Sequence, residues 1–172
     1  MAKPVVGILM GSDSDYSIME ETIDILNHFD VPHEVNVSSA HRSPERTQKY
    51  VREAKKRGIK VLIAGAGGAA HLAGVLAAET VLPVIGVPIA SSSLLGLDSL
   101  LSTAQMPSGI PVATMATGKA GAKNAGILAV QILALGNPRL SQKLLKYKKD
   151  LAKQVEEKDR KLKSGHGQNN KN

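Results

Sequence analysis

The sequence of 172 residues predicts a three-layer α/β/α domain built on a parallel five-stranded sheet. Apolar, β-branched runs alternate along it with helical patterns, the order that repeated βα units produce. Those runs are continuously apolar rather than alternating, so the sheet is covered on both faces. With no Trp, one Phe and three Tyr, the core is left to Ala, Val, Ile and Leu, small enough for helices to approach a sheet closely.

The elements follow in order. Pro4–Met10 (PVVGILM) reads as the first strand, and Tyr16–Phe29 as the first helix, with Ile18, Met19, Ile23, Leu26 and Phe29 on one face. His33–Val37 (HEVNV) is the second strand. Ser43 followed by Pro44 gives an N-cap and an N1 position for a helix over Pro44–Arg57. Lys60–Ala64 (KVLIA), Pro83–Pro88 (PVIGVP) and Pro111–Met115 (PVATM) supply three more strands. Helices are expected over Ala70–Glu79, around Leu95–Ala104, and over Gly118–Leu135. These elements make a single domain over residues 1–138, with no internal repeat. After LGNPRL, residues 139–163 place Leu140, Leu144, Tyr147, Leu151, Val155 and Leu162 at steps of three, four and seven, the spacing of an amphipathic helix. SGHGQNNKN, within residues 164–172, reads as a disordered end.

Composition removes several classes of function. The net charge of +7 lies wholly in the tail: residues 1–138 carry 11 Lys/Arg against 11 Asp/Glu, and residues 139–172 carry 11 against 4. A basic face on an amphipathic helix with one aromatic is a poor nucleic-acid platform, so no nucleic-acid partner is expected. No apolar run approaches the roughly 18 residues of a spanning helix, and the N-terminus turns polar too early for a secretory signal. Without cysteine there are no disulfides or thiolate metal sites. A cytoplasmic protein with no membrane association is expected.

Ligands of such sheets bind beyond the carboxyl ends of the strands, and three loops there carry the unusual polar residues. GSDSD (Gly11–Asp15) offers hydroxyls and carboxylates at a helix start. Ser12 and Ser14 could hold phosphate and Asp15 ribose hydroxyls, whereas a plain capping reading makes Ser17 and Glu20 an S-x-x-E box. SSAHRSPER (Ser38–Arg46) brings His41, a residue type suited to proton transfer near neutrality, beside Arg42, whose planar fork suits phosphate. GAGGAAHLAG (Gly65–Gly74) formally matches a dinucleotide fingerprint through Gly65, Gly67 and Ala70. No acid ends the next strand and the loop is the third turn rather than the first, so nicotinamide binding is rejected. Close strand–helix packing and a ligand wall both remain open for it. GKAGAKN (Gly118–Asn124) lacks the Ser/Thr of a phosphate loop, and no His/Asp/Glu spacing supports a metal site.

Taken together and in order, MGSDSD, SAHRSPE, IAGAGGAAHL, PVIGVP, GLDSLLSTAQMPSGIPVAT and GKAGAKNA resemble the N5-carboxyaminoimidazole ribonucleotide mutase family of purine biosynthesis, from about Val5 to Leu135. The resemblance implies a flavodoxin-like fold, no metal or organic cofactor, and a homo-octamer whose neighbouring subunits complete each site. It implies conversion of N5-carboxyaminoimidazole ribonucleotide into 4-carboxy-5-aminoimidazole ribonucleotide, by decarboxylation in a closed pocket and recarboxylation at C4. It assigns His41 as the acid/base, Arg42 with Ser14 and Ser39 to phosphate, and Ser12, Asp15 and Ala40 to the nucleotide. Gly67, Gly68 and His71 fall to the wall around the base and carboxylate. The 139–163 helix is expected to pack on a neighbouring subunit, and coupling to the synthase that makes the unstable substrate is implied.

The sequence departs from the family pattern at Ala73, Val75, Leu95, Ala104 and Thr117, which bear on packing and loop rigidity rather than on chemistry. A related branch carboxylates aminoimidazole ribonucleotide directly with CO2. It tends to carry His-Lys and to lack AGAGGAAHL, which sets this chain with the mutases. A reading from a different class is a non-catalytic nucleotide- or flavin-binding module on the same kind of sheet.

Overall fold

The computed structural model describes residues 2–166. Strands β1 (Val6–Met10), β2 (His33–Val37), β3 (Val61–Gly67), β4 (Val84–Ile89) and β5 (Ala113–Thr114) form one sheet in the order β2-β1-β3-β4-β5. Every neighbouring pair is parallel. The order 2-1-3-4-5 is that of the flavodoxin-like doubly wound fold, which reverses direction between β1 and β3. Intervening helices are α1 (Tyr16–His28), α2 (Pro44–Arg57), α3 (Leu72–Glu79), α4 (Leu97–Ala104) and α5 (Lys119–Ala134). A compact unit ends at Leu133, and a second runs from Ala134 and contains α6 (Pro138–His166).

The apolar runs of the sequence become a sheet sealed on both sides. Val6, Ile8, Leu9, Met10, Leu62, Ile63 and Ile85 are fully buried. On one face, Leu9, Leu62, Ala64 and Val84 pack with Val51 and Ala54 of α2 and Leu72, Ala73 and Leu76 of α3. Thr103 of α4 meets the same face over Gly86. The other face is covered by α1 and α5, which touch each other: Thr22 Oγ1 donates to the Ala122 carbonyl at 2.6 Å. Ile25 lies against Gly126, where a Cβ would stand 2.9 Å away. Each fully buried Leu or Ile contributes roughly 1.5–3 kcal/mol, so the central strands carry most of the stability.

Edge strand β2 is fastened by polar groups. Tyr50 Oη donates to Glu34 Oε1 at 2.7 Å, Arg57 reaches the same oxygen at 2.8 Å, and the guanidinium stands 4.6 Å from the Tyr50 ring centroid. Burial, then the Glu34 carboxylate, push the Tyr50 phenol well above its ordinary range. Room for that phenol comes from β1, since a Cβ on Gly7 would overlap the Tyr50 hydroxyl.

Several boundaries differ from the sequence expectation, each for a local reason. The Ser17–Glu20 box does not form. Ser12 instead caps a 3-10 turn over Asp13–Asp15 in a box with Asp15, and Ser17 lies inside α1. Helix α3 begins at Leu72 rather than Ala70, because Gly68 and Ala70 take left-handed φ values of 59° and 42°. Leu95 and Gly96, at φ 53° and 88°, likewise move the start of α4 to Leu97. The last strand pairs over two residues only.

Helix α6, expected over residues 139–163, continues through Ser164 to His166. The rest of the segment expected to be disordered, residues 167–172, lies outside the described residues. Leu151, Val155 and Leu162 of its apolar stripe are exposed. No helix among the described residues is long and apolar enough to cross a membrane.

Candidate active site

The carboxyl ends of β1, β2, β3 and β4 open into one cleft of about 300 Å³, on the line where the strand order reverses. Three loops predicted from the sequence meet there. Ser12, Ser14 and Asp15 come from the β1 loop, Ser39, Ala40, His41 and Arg42 from the β2 loop, Gly67 from the last position of β3, and His71 from the turn after it. Gly68, the remaining expected residue, is absent from the lining. It is the left-handed turn at φ 59°, where a Cβ would stand in open space, and so it shapes the loop through its backbone.

The β1 loop is a preorganised cap. Ser12 N donates to Asp15 Oδ2 at 3.0 Å, Ser14 N donates to Asp13 Oδ1 at 3.0 Å, and Ser14 Oγ donates to Ser12 Oγ at 2.9 Å. Asp15 is buried. Desolvation holds its carboxyl above the ordinary range, while N–H groups of Ser12 and Gly11 pull the other way and the Asp13 charge adds to the rise. A buried carboxyl at a cleft wall is primed to accept hydrogen bonds from a ligand's hydroxyls.

The β2 loop is locked onto the first. Ser43 stands at the N-cap of α2, yet its side chain makes no bond to the helix; its Oγ donates to the Ser39 carbonyl at 3.0 Å and accepts from Ser39 N at 3.1 Å. Ser39 Oγ in turn accepts from Arg42 N at 3.2 Å. The Arg42 guanidinium donates to the Gly11 carbonyl at 3.2 Å across the cleft floor, leaving its other N–H groups available to an anion.

At the centre, His41 Nε2 stands 2.7 Å from His71 Nδ1, with the rings edge to face at 81°. That separation needs one proton shared between the two nitrogens, so the pair can accept or release a proton while a hydrogen bond orients both rings. His71 sits at the start of α3, placed by the two left-handed residues before it. Among the described residues no three His, Cys, Asp or Glu side chains gather as a metal site.

Sequence reasoning missed Gly11, Ala66, Ala70, Leu72 and Ser91 of the lining. The first four flank or lie within motifs already read. Ser91 had a signal of its own, as the first polar residue past β4 at the sheet end where ligands bind.

This strand order and cleft define a doubly wound α/β protein with a phosphate-ready, imidazole-bearing site at its switch point. The chain belongs to the AIR carboxylase family, whose model matches residues 5–154. It is 58% identical over 160 residues to the N5-carboxyaminoimidazole ribonucleotide mutase of Pyrococcus horikoshii, covering 93% of this chain and 89% of that one. The Bacillus subtilis protein of the same name is 58% identical over 142 residues, with 83% and 88% covered. In structure the chain resembles Treponema denticola PurE, with a TM-score of 0.84, 31% identity, and 92% and 98% of the two chains covered.

Proposed function

We infer that the chain is an isomerase of purine biosynthesis that converts N5-carboxyaminoimidazole ribonucleotide into 4-carboxy-5-aminoimidazole ribonucleotide. The observation that carries the reading is the convergence of His41, His71, Asp15 and Arg42 on one cleft, in a chain closely similar to mutases.

The ribonucleotide lies along the strand ends with its phosphate on Arg42, Ser14 and Ser39, its ribose on Asp15 beside Ser12 and Ala40, and its ring over Gly67, with Gly68 shaping that wall. His41 donates a proton to N5 as the N–CO2 bond breaks, leaving CO2 and aminoimidazole ribonucleotide in the cleft. C4 attacks the CO2 carbon, and the C4 proton returns to His41 as the ring regains aromaticity. His71 orients His41 and shares its proton through the 2.7 Å contact. Glycine and alanine walls exclude water while CO2 is free. The sequence of steps has no net redox change and assigns no metal or organic cofactor a part. The reading includes a cytoplasmic homo-octamer, with α6 packed on a neighbouring subunit and the substrate arriving by coupling to the synthase.

Supplying the N-carboxy substrate in one assay, and aminoimidazole ribonucleotide with bicarbonate in another, tests the reaction. Efficient turnover of the first is expected; preference for the second moves the chain to the CO2-using branch. His41→Asn is expected to lower kcat by about a hundredfold or more while substrate still binds. A variant that keeps turnover removes His41 from the chemistry, and tight mononucleotide binding without any turnover in the unsubstituted protein favours a binding module.

A further inference from the structure

Ser91 opens a run of three serines one residue after β4, and the structure separates the roles of the first two. Ser92 is committed to the turn: its Oγ donates to Asp98 Oδ2 at 2.7 Å and accepts from Leu94 N at 3.1 Å. Ser91 lines the cleft instead, and its hydroxyl has no hydrogen-bond partner among the described residues. The other serine hydroxyls of the cleft are tied to their own loops.

Gly67 explains how that hydroxyl gets in. It is an ordinary strand residue paired with Ile89, outside the left-handed region, so its backbone freedom is not used. What the missing side chain supplies is space. A Cβ at position 67 would overlap the Ser91 hydroxyl and lie 2.7 Å from the Ser91 Cβ. The Gly67–Ser91 pair thus sets one uncommitted hydroxyl into the wall beneath the ring position.

Its place in the sheet assigns its target. The cleft crosses the strands in the order β2, β1, β3, β4, with neighbouring strands about 4.8 Å apart. Arg42 and His41 follow β2, Asp15 follows β1, His71, which His41 meets at 2.7 Å, follows β3, and Ser91 follows β4 at the far end of the lining. A ribonucleotide held by its phosphate and ribose at the first end presents the far edge of its ring to Ser91.

Resting on the mutase reading, we propose that Ser91 is the positioning residue for the migrating carboxyl group. Its Oγ–H takes up an oxygen of the carboxyl group as the N–C bond breaks, holds it while CO2 is free, and retains it as the C4 carboxylate forms. No bond to Ser91 is made or broken, and the C4 proton goes to His41. The hydroxyl therefore governs the partition of CO2 between recapture and escape.

The test follows a 13C-carboxyl-labelled substrate in unlabelled bicarbonate, measuring label kept in the 4-carboxy product and aminoimidazole ribonucleotide released. Ser91→Ala is expected to lower kcat and raise release per product formed by about tenfold, the worth of one hydrogen bond to a charged group. KM should stay within about twofold, as for an interaction that acts after binding. Ser91→Thr, which keeps the hydroxyl, should hold label close to the unsubstituted level. An Ala variant with unchanged partition, a defect confined to KM, or a Thr variant as leaky as the Ala variant overturns the inference alone. Unsubstituted protein that forms no 4-carboxy product overturns the mutase reading and this inference with it.

Discussion

Asp15 shows how a single side chain trades stability for binding. Its native carboxyl titrates above its ordinary range because burial disfavours the charged form, so the folded state holds a proton more tightly than the unfolded state does. Stability from this group is therefore full below about pH 4 and is lost as pH rises through the raised native value. Asp15→Asn, which keeps an acceptor for Ser12 N, should melt higher than the unsubstituted protein at pH 7, with the gap closing toward pH 4. Its substrate affinity should fall about tenfold or more. A gap that widens on acidification contradicts this account. At this scale the sequence was legible for residue types and loops: Ser12, Ser14, Asp15, Ser39, Ala40, His41, Arg42, Gly67 and His71 all reach the cleft. It was blind to pairings. Nothing in the spacing of His41 and His71, 30 residues apart, signals a 2.7 Å contact, and Gly67 reads as loop until its strand pairing to Ile89 is seen.

Among the elements, continuous apolar runs made β1, β3 and β4 readable, whereas helix starts depended on backbone angles that composition only hints at. Ala70 and Leu95 are unusual left-handed residues, and neither has a sequence signature, since such positions ordinarily call for glycine or asparagine. Leu95 is 85% exposed, so little packing opposes relief of that angle. Leu95→Gly is expected to raise stability by about 0.5–1 kcal/mol in denaturant unfolding, and a loss would show that its side chain has a partner. Gly7→Ala acts oppositely. It drives the Tyr50 hydroxyl out of its contact with Glu34 and should cost about 1–3 kcal/mol, with KM unchanged because edge strand β2, not the cleft, loses its fastening. A rise in KM without a fall in stability would place the strain at the site instead.

For the molecule as a whole, charge and fold divide at the same place. The chain through residue 138 is neutral and the remaining residues carry the whole +7, while the second compact unit begins at Ala134. Truncation after Gly136 should leave the helical signal of the first unit intact and reduce the number of subunits per assembly measured by light scattering. An unchanged number of subunits removes α6 from subunit packing. Period and charge made this helix legible, but its continuation to His166 crosses Gly165, a residue that weakens helices. A last consequence concerns the order of synthesis. Every side chain of the cleft has been made by Ser91, yet α5, whose Ala122, Ala125, Ala129 and Val130 are fully buried, is made afterwards. A nascent or prematurely terminated chain would carry every cleft side chain of this subunit on a sheet that α1 alone covers on one face. It would be a target for chaperones before it could be an enzyme.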